Sequence, residues 1–110
     1  MYDSAIFNRF CALLGGQMRL IVTGAAPLHP DVQNRLKVTF CCPVVQGYGQ
    51  TESSGAMTIG FTTDNSSGHV GGPLRNCEIK LVDVPELNYL TTNKNEEGEL
   101  LPQGEICFRG

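Results

Sequence analysis

Residues 46–52 read Gln-Gly-Tyr-Gly-Gln-Thr-Glu, and their types suit a flat ligand that carries phosphate. Tyr48 stands between Gly47 and Gly49, so its ring is free of neighbouring side chains and open to a stacked planar base. Thr51 offers a hydroxyl and a backbone N–H to a phosphate oxygen. A carboxylate beside a phosphate is repulsive unless a cation lies between them, so Glu52 next to Thr51 points to a hard metal such as Mg²⁺. A competing reading is a helix start, with Thr51 as N-cap, Glu52 at the positive end of the dipole, and Ser53 and Ser54 on the surface. The residues alone leave both readings open.

A second candidate is the stretch Thr-Gly-Ala-Ala-Pro-Leu-His-Pro at 23–30. Gly24, Ala25, Ala26 and Pro27 are small and would let a flat ligand approach the backbone. A dinucleotide-binding opening is disfavoured on sterics, because Leu28 and Pro30 stand where that pattern needs glycine. The plain alternative is a tight strand-to-helix turn. His29 and His69 have no partner acid at readable spacing and read as loop histidines. Glu96, Glu97 and Glu99 read as a solvated hairpin rather than a metal site.

These stretches need elements to hold them. Ile6, Phe7, Phe10, Cys11, Leu13 and Leu14 recur at helical spacing before Gly15 and Gly16, which predicts a helix over 3–14. The apolar run around Ile21, Val22 and Thr23 predicts a buried strand ending at Gly24. Pro30 and Asp31 open a second helix, about 30–39, with Val32, Leu36 and Phe40 turned inward. Val44 and Val45 begin a second strand, expected to break at Gly47. Both turns then leave the carboxyl ends of short apolar strands, and if the strands are neighbours both open on one edge of the sheet. Further on, 57–61, 78–84 and 104–110 are strand-like, separated by polar loops at 62–73 and 91–99, which gives an antiparallel, β-rich second half. The fold class expected is α/β: a partial parallel sheet with flanking helices over residues 1–56, running into a β-rich part over 57–110.

Composition sets the outer limits. The chain has 110 residues, 41% hydrophobic and 17% charged, with a net charge of −3, which suits one small globular domain. Its eight basic residues form no run, so bulk electrostatics favours no nucleic acid. No 18-residue apolar stretch and no secretory leader are visible. The five cysteines are odd in number and include the adjacent Cys41 and Cys42, and no C-x-x-C occurs, so free buried thiols in a reducing compartment are expected. The sequon at Asn65 is expected to be idle. The first helix begins almost at Met1 and the last strand ends at Gly110, which reads as an internal piece of a larger protein.

Three motifs in order resemble one family. Residues 19–28 (RLIVTGAAPL), 46–52 (QGYGQTE) and 70–74 (VGGPL), the last followed by EIKLVDV and GEICFRG, are similar to the core motifs of adenylate-forming enzymes, and within them the long-chain fatty acyl-CoA synthetases. The likeness spans nearly the whole chain, and it implies a partial AMP-binding (adenylation) domain over 1–110. It implies a two-step reaction in which a fatty carboxylate attacks the α-phosphorus of Mg·ATP and CoA then displaces AMP. It implies that Tyr48 stacks on adenine, that Gln46, Gly47 and Gly49 border the base, that Thr51 contacts phosphate, and that Glu52 holds Mg²⁺. Gly24, Ala25, Ala26 and Pro27 would form the wall between adenine and the acyl chain. The implied substrates and cofactors are fatty acid, ATP, Mg²⁺ and CoA. The parent enzyme would work on the cytoplasmic side, at the endoplasmic reticulum or the mitochondrial outer membrane, attached through segments not seen here. The family's triphosphate-gripping loop, its ribose-binding aspartate and its C-terminal lysine do not occur, so the chain by itself is expected to be inactive and marginally stable. Two alternatives remain: a non-catalytic truncated remnant, and an adenylating ligase for another acid or acceptor.

Overall fold

The computed structural model describes residues 2–110, and side chains from residue 6 onward. It divides into two compact units, residues 1–72 and 73–110.

In the first unit, helix α1 (Tyr2–Leu13) ends where Gly15 and Gly16 turn the chain and donate to the carbonyls of Ala12 and Cys11. Strand β1 (Ile21–Thr23) leads through the 24–29 turn into helix α2 (Pro30–Phe40). Proline suits the first helical position, where its missing N–H costs nothing. His29 caps the helix by accepting the Asp31 N–H at Nδ1, 3.3 Å away. Strand β2 (Val44–Gln50) pairs parallel to β1, with Ile21 opposite Val44 and Thr23 opposite Gln46. A 3₁₀ turn (Thr51–Ser53) then reverses the chain into β3 (Gly55–Ile59), antiparallel to β2. The sheet order is β1-β2-β3-β4, with β4 a two-residue strand (Gly72–Pro73). The core lies on β2 and β3: Val44, Val45 and Met57 are buried, with Cys42 beside them.

In the second unit, β5 (Glu78–Val82) pairs antiparallel with β6 (Glu105–Arg109), from Glu78 opposite Arg109 to Val82 opposite Glu105. Glu78 and Arg109 form an exposed ion pair across the strands, an interaction that contributes little in water. The 94–100 loop is a solvated turn in which the Asn95 side chain accepts the N–H groups of Glu97 and Glu99.

The α/β class and the partly parallel sheet agree with the sequence reading. Several local expectations do not. β2 continues through Gly47 to Gln50, because Gly47 and Gly49 are places where β3 comes close to the strand and leaves little room for a side chain. The first residue before the 3₁₀ turn is Gln50, whose N–H donates to Ser53 Oγ at 3.0 Å, so Thr51 is not the cap. On α2 the buried residue is Gln33, while Val32 is 44% exposed and Leu36 and Phe40 are half-buried. Val22 and Leu20 are exposed rather than buried in a two-sided sheet. All five thiols are free, but Cys42 alone is buried and Cys41 is exposed.

Candidate functional site

The parallel pairing of β1 and β2 brings the 24–28 turn and residues 46–50 to one edge of the sheet, as the strand order required. The two segments touch: a Cβ on Gly24 would lie 3.2 Å from the Gly47 carbonyl oxygen. Ala25 sits at φ 70°, a left-handed conformation costing a non-glycine residue about 1 kcal/mol. Such strain persists where neighbours over-determine the backbone, and here a side chain from β2 does so. Gln46 Oε1 accepts the Leu28 N–H at 3.0 Å, and its Nε2 donates to the Leu28 carbonyl at 3.3 Å. The same Nε2 donates to Gln33 Oε1 at 3.0 Å, and Gln33 Nε2 donates to the Val44 carbonyl at 2.8 Å. Gln46 is therefore bound to the neighbouring turn by its amide, and its backbone carbonyl accepts the Gly60 N–H at 2.9 Å.

Two clefts lie along this edge. One, of about 590 Å³, is walled by the turn (residues 25–30), by β2 (residues 46–49) and by the loop at 68–70. Its volume falls within the range of small-molecule sites, and Tyr48 lines it together with the small residues Ala25, Ala26 and Pro27. The second, of about 690 Å³, shares Ala25, Gly47, Tyr48 and Gly49 with the first and adds Thr23, Gly24 and Thr51. The Tyr48 hydroxyl accepts from Gln50 Nε2 at 2.8 Å, which leaves the ring as the part available for stacking. Of the residues singled out in sequence, all but Glu52 line one or both clefts.

Glu52 is exposed in the 3₁₀ turn and lines neither cleft. Among the described residues no three His, Cys, Asp or Glu side chains converge where a metal ion could sit. A single carboxylate beside a threonine hydroxyl suits magnesium that keeps its waters and arrives on phosphate oxygens, and does not suit a protein-caged ion. The donor set fits the ion the sequence implied on those terms.

The third wall of the first cleft escaped the sequence reading. Lys37 Nζ donates to the carbonyls of Asn65 (3.0 Å) and Ser66 (2.9 Å) and to Ser67 Oγ (2.9 Å), tying the 65–67 loop to α2. Ser67 Oγ donates to Asn34 Oδ1 at 2.7 Å, and Thr58 Oγ1 donates to the Val70 carbonyl at 2.9 Å. His69 does have an acid, contrary to the expectation: its Nε2 lies 3.4 Å from Asp64 Oδ2 and 2.7 Å from Ser66 Oγ. Its Nδ1 accepts the Gly71 N–H at 3.1 Å, so in the neutral ring the proton sits on Nε2. Ser66 Oγ in turn donates to Asp64 Oδ1 at 2.6 Å. The arrangement cannot activate the serine, because the nitrogen facing it already carries a proton. Hydrogen bonds from the Ser66 hydroxyl and N–H, with smaller help from His69 and Lys37, hold the Asp64 carboxyl below the usual range. No spacing rule relates 64, 66 and 69; only the loop conformation does.

Comparison with known proteins agrees with this geometry. The model of the AMP-binding enzyme family matches residues 4–110. Fatty acyl-CoA synthetase A of Dictyostelium discoideum is 44% identical over 110 residues, which is 100% of this chain and 16% of that protein. Long-chain-fatty-acid--CoA ligase 6 of Homo sapiens is 48% identical over 110 residues, 100% of this chain and 15% of that protein. Among solved structures, the A domain of carboxylic acid reductase from Segniliparus rugosus, in complex with AMP and a co-purified carboxylic acid, superposes with a TM-score of 0.69 at 31% identity. That superposition covers 96% of this chain and 15% of the reductase chain. The chain thus spans about one-sixth of the length of the curated relatives it matches.

Proposed function

We propose, from the premise that the chain belongs to the AMP-binding enzyme family, that it forms the nucleotide-facing part of a long-chain fatty acid–CoA ligase. The parent enzyme would join a fatty carboxylate to the α-phosphorus of ATP with release of pyrophosphate, and then pass the acyl group to the CoA thiol with release of AMP. The observation that carries this reading is the cleft beside Tyr48. An aromatic residue shares its lining with Ala25, Ala26 and Pro27, in a chain 44% to 48% identical to the two synthetases named above.

In this reading Tyr48 stacks on adenine, and the small-residue turn separates the base from the acyl chain. Thr51 contacts phosphate, and Glu52 with Thr51 would hold Mg²⁺, which neutralises charge on the phosphates when bound. The work of these residues is positioning and charge neutralisation, which carry most of the catalysis in phosphoryl-type transfer. The residues here supply one side of such a site, so the 110-residue chain alone is expected to bind nucleotide weakly and to catalyse nothing. Among the described residues no helix is long and apolar enough to cross a membrane. The reading assigns attachment of the parent, at the cytoplasmic face of the endoplasmic reticulum or mitochondrial outer membrane, to other segments.

The superposition on the carboxylic acid reductase domain favours a second reading, an adenylating enzyme for a different acid. Profiling the full-length enzyme against fatty, aryl and short-chain acids separates the two by following acid-dependent AMP release with CoA present. CoA-dependent turnover of long-chain acids supports the ligase. Turnover confined to aryl or short-chain acids overturns it.

A further inference from the structure

We propose that Gln33, a side chain that does not line the cleft, is the positioning residue that sets the spacing of all three cleft walls. Gln33 is 3% exposed and sits on α2, where apolar residues were expected to face inward. Its amide reaches each wall. Nε2 donates to the Val44 carbonyl of β2 at 2.8 Å. Oε1 accepts from Gln46 Nε2 at 3.0 Å, and Gln46, itself 5% exposed, holds the backbone of Leu28 in the turn. The same Oε1 accepts the Gly68 N–H at 3.4 Å, at the start of the loop that carries His69 and Val70 to the cleft.

The direction of every bond in this relay is fixed. The Val44 carbonyl can only accept, so Gln33 must present its NH₂ there and its oxygen to Gln46. Gln46 must then present NH₂ to Gln33, and its oxygen is left for the Leu28 N–H. No buried side-chain nitrogen or oxygen among the described residues lacks a partner, so the relay is complete. A buried amide with both ends engaged tolerates no shift of one wall without breaking a bond to another. The Gln33 amide bonds the strand and the loop directly and the turn through Gln46, so one side chain links all three.

The inference rests on the ligase reading, and its test separates the two. The test is fatty-acid-dependent ATP–pyrophosphate exchange by the full-length enzyme, with Gln33→Met, Gln46→Met and the double variant, each confirmed folded by its thermal transition. If wild type shows no exchange with any fatty acid, the ligase reading fails. If wild type exchanges, Gln33→Met is expected to raise the KM for ATP about tenfold, since small misplacements in a site cost rate steeply. The double variant is expected to fall short of the product of the two single effects, because the two changes share the Gln33–Gln46 bond. A KM within about twofold of wild type in folded protein, or single effects that multiply, overturns the proposal. A second variant covers the case in which Gln33→Met does not fold. In Gln33→Glu the introduced carboxyl keeps the acceptor for Gln46 and Gly68 but donates to Val44 only when protonated. Burial raises such a group, so the ratio of variant to wild-type KM is expected to fall as pH is lowered from about 8 to about 6. A ratio flat across that range overturns the proposal.

Discussion

Gly49→Ala isolates what the glycines of residues 46–50 are for. Gly49 lies in β2 where the pairing with β3 shifts register after Tyr48, opposite Ala56. A Cβ there would overlap the Gly55 carbonyl oxygen and lie 2.7 Å from the Ala56 Cα, and both are backbone of the neighbouring strand. No rotamer relieves this; β3 must move away from β2. Overpacking of this kind costs about 1–3 kcal/mol, and each ladder hydrogen bond lost adds about 1 kcal/mol. With Gly49–Ala56 and Gln50–Gly55 both disturbed, the total is about 4 kcal/mol, a large share of the about 5–15 kcal/mol that holds a domain. Gly72→Ala is the control, because a Cβ at Gly72 meets nothing within 4 Å. Urea unfolding followed by far-ultraviolet circular dichroism measures both. At a slope near 1 kcal/mol/M, Gly49→Ala lowers the midpoint by several molar or leaves no folded baseline, while Gly72→Ala shifts it by less than about 0.5 M. Equal midpoints for the two variants would refute the claim that close strand approach, rather than ligand access, requires glycine at 49.

Other perturbations address other parts of the structure. Ala25 is held at φ 70°, so Ala25→Gly is expected to leave the melting temperature level or raised, whereas Ala25→Val destabilises by about 2 kcal/mol, and thermal melts compare them. Asp64 is held below its ordinary value in the folded state, so its contribution is present above the unfolded value of about 3.9 and is lost as pH falls through the lower folded value. Asp64→Asn should therefore flatten that part of the acid limb in a pH–stability titration; an unchanged limb would speak against the Asp64–Ser66–His69 network. Burial, with smaller contributions from Cys11 and Cys41, raises the Cys42 thiol, and Cys41 is exposed. Iodoacetamide should thus label Cys41 well before Cys42 by peptide mass spectrometry.

The elements were legible in the sequence where a local rule decides them. Gly15 and Gly16 end α1, Pro30 starts α2, and the β-branched run at Ile21 and Val22 forms β1 within a residue or two of the expected bounds. The candidate cleft was legible through its small residues and Tyr48, since both sit immediately beyond apolar strand segments. What was hidden depends on contacts between distant residues. Gly47 read as a strand breaker in isolation, but against Thr58, as Gly49 is against Gly55 and Ala56, it is what keeps β2 continuous. Gln33 carried no signal in the sequence, because hydropathy ranks it below Val32, yet the Val44 carbonyl and the Gln46 amide give it partners that water would otherwise supply. The Asp64–His69 contact depends on a loop held by Lys37 from 28 to 30 residues away, which no sequence period reports.

The central claim is that residues 24–28 and 46–52 form the nucleotide side of a fatty-acid-activating site. ATP–pyrophosphate exchange by the full-length enzyme, wild type against Tyr48→Ala, tests it most directly. The expected result is exchange that requires a long-chain fatty acid, with the KM for ATP raised about tenfold in Tyr48→Ala, as the loss of one base–aromatic stack worth about 1–3 kcal/mol requires. Exchange without need of a fatty acid, or a KM for ATP unchanged by Tyr48→Ala, would contradict it.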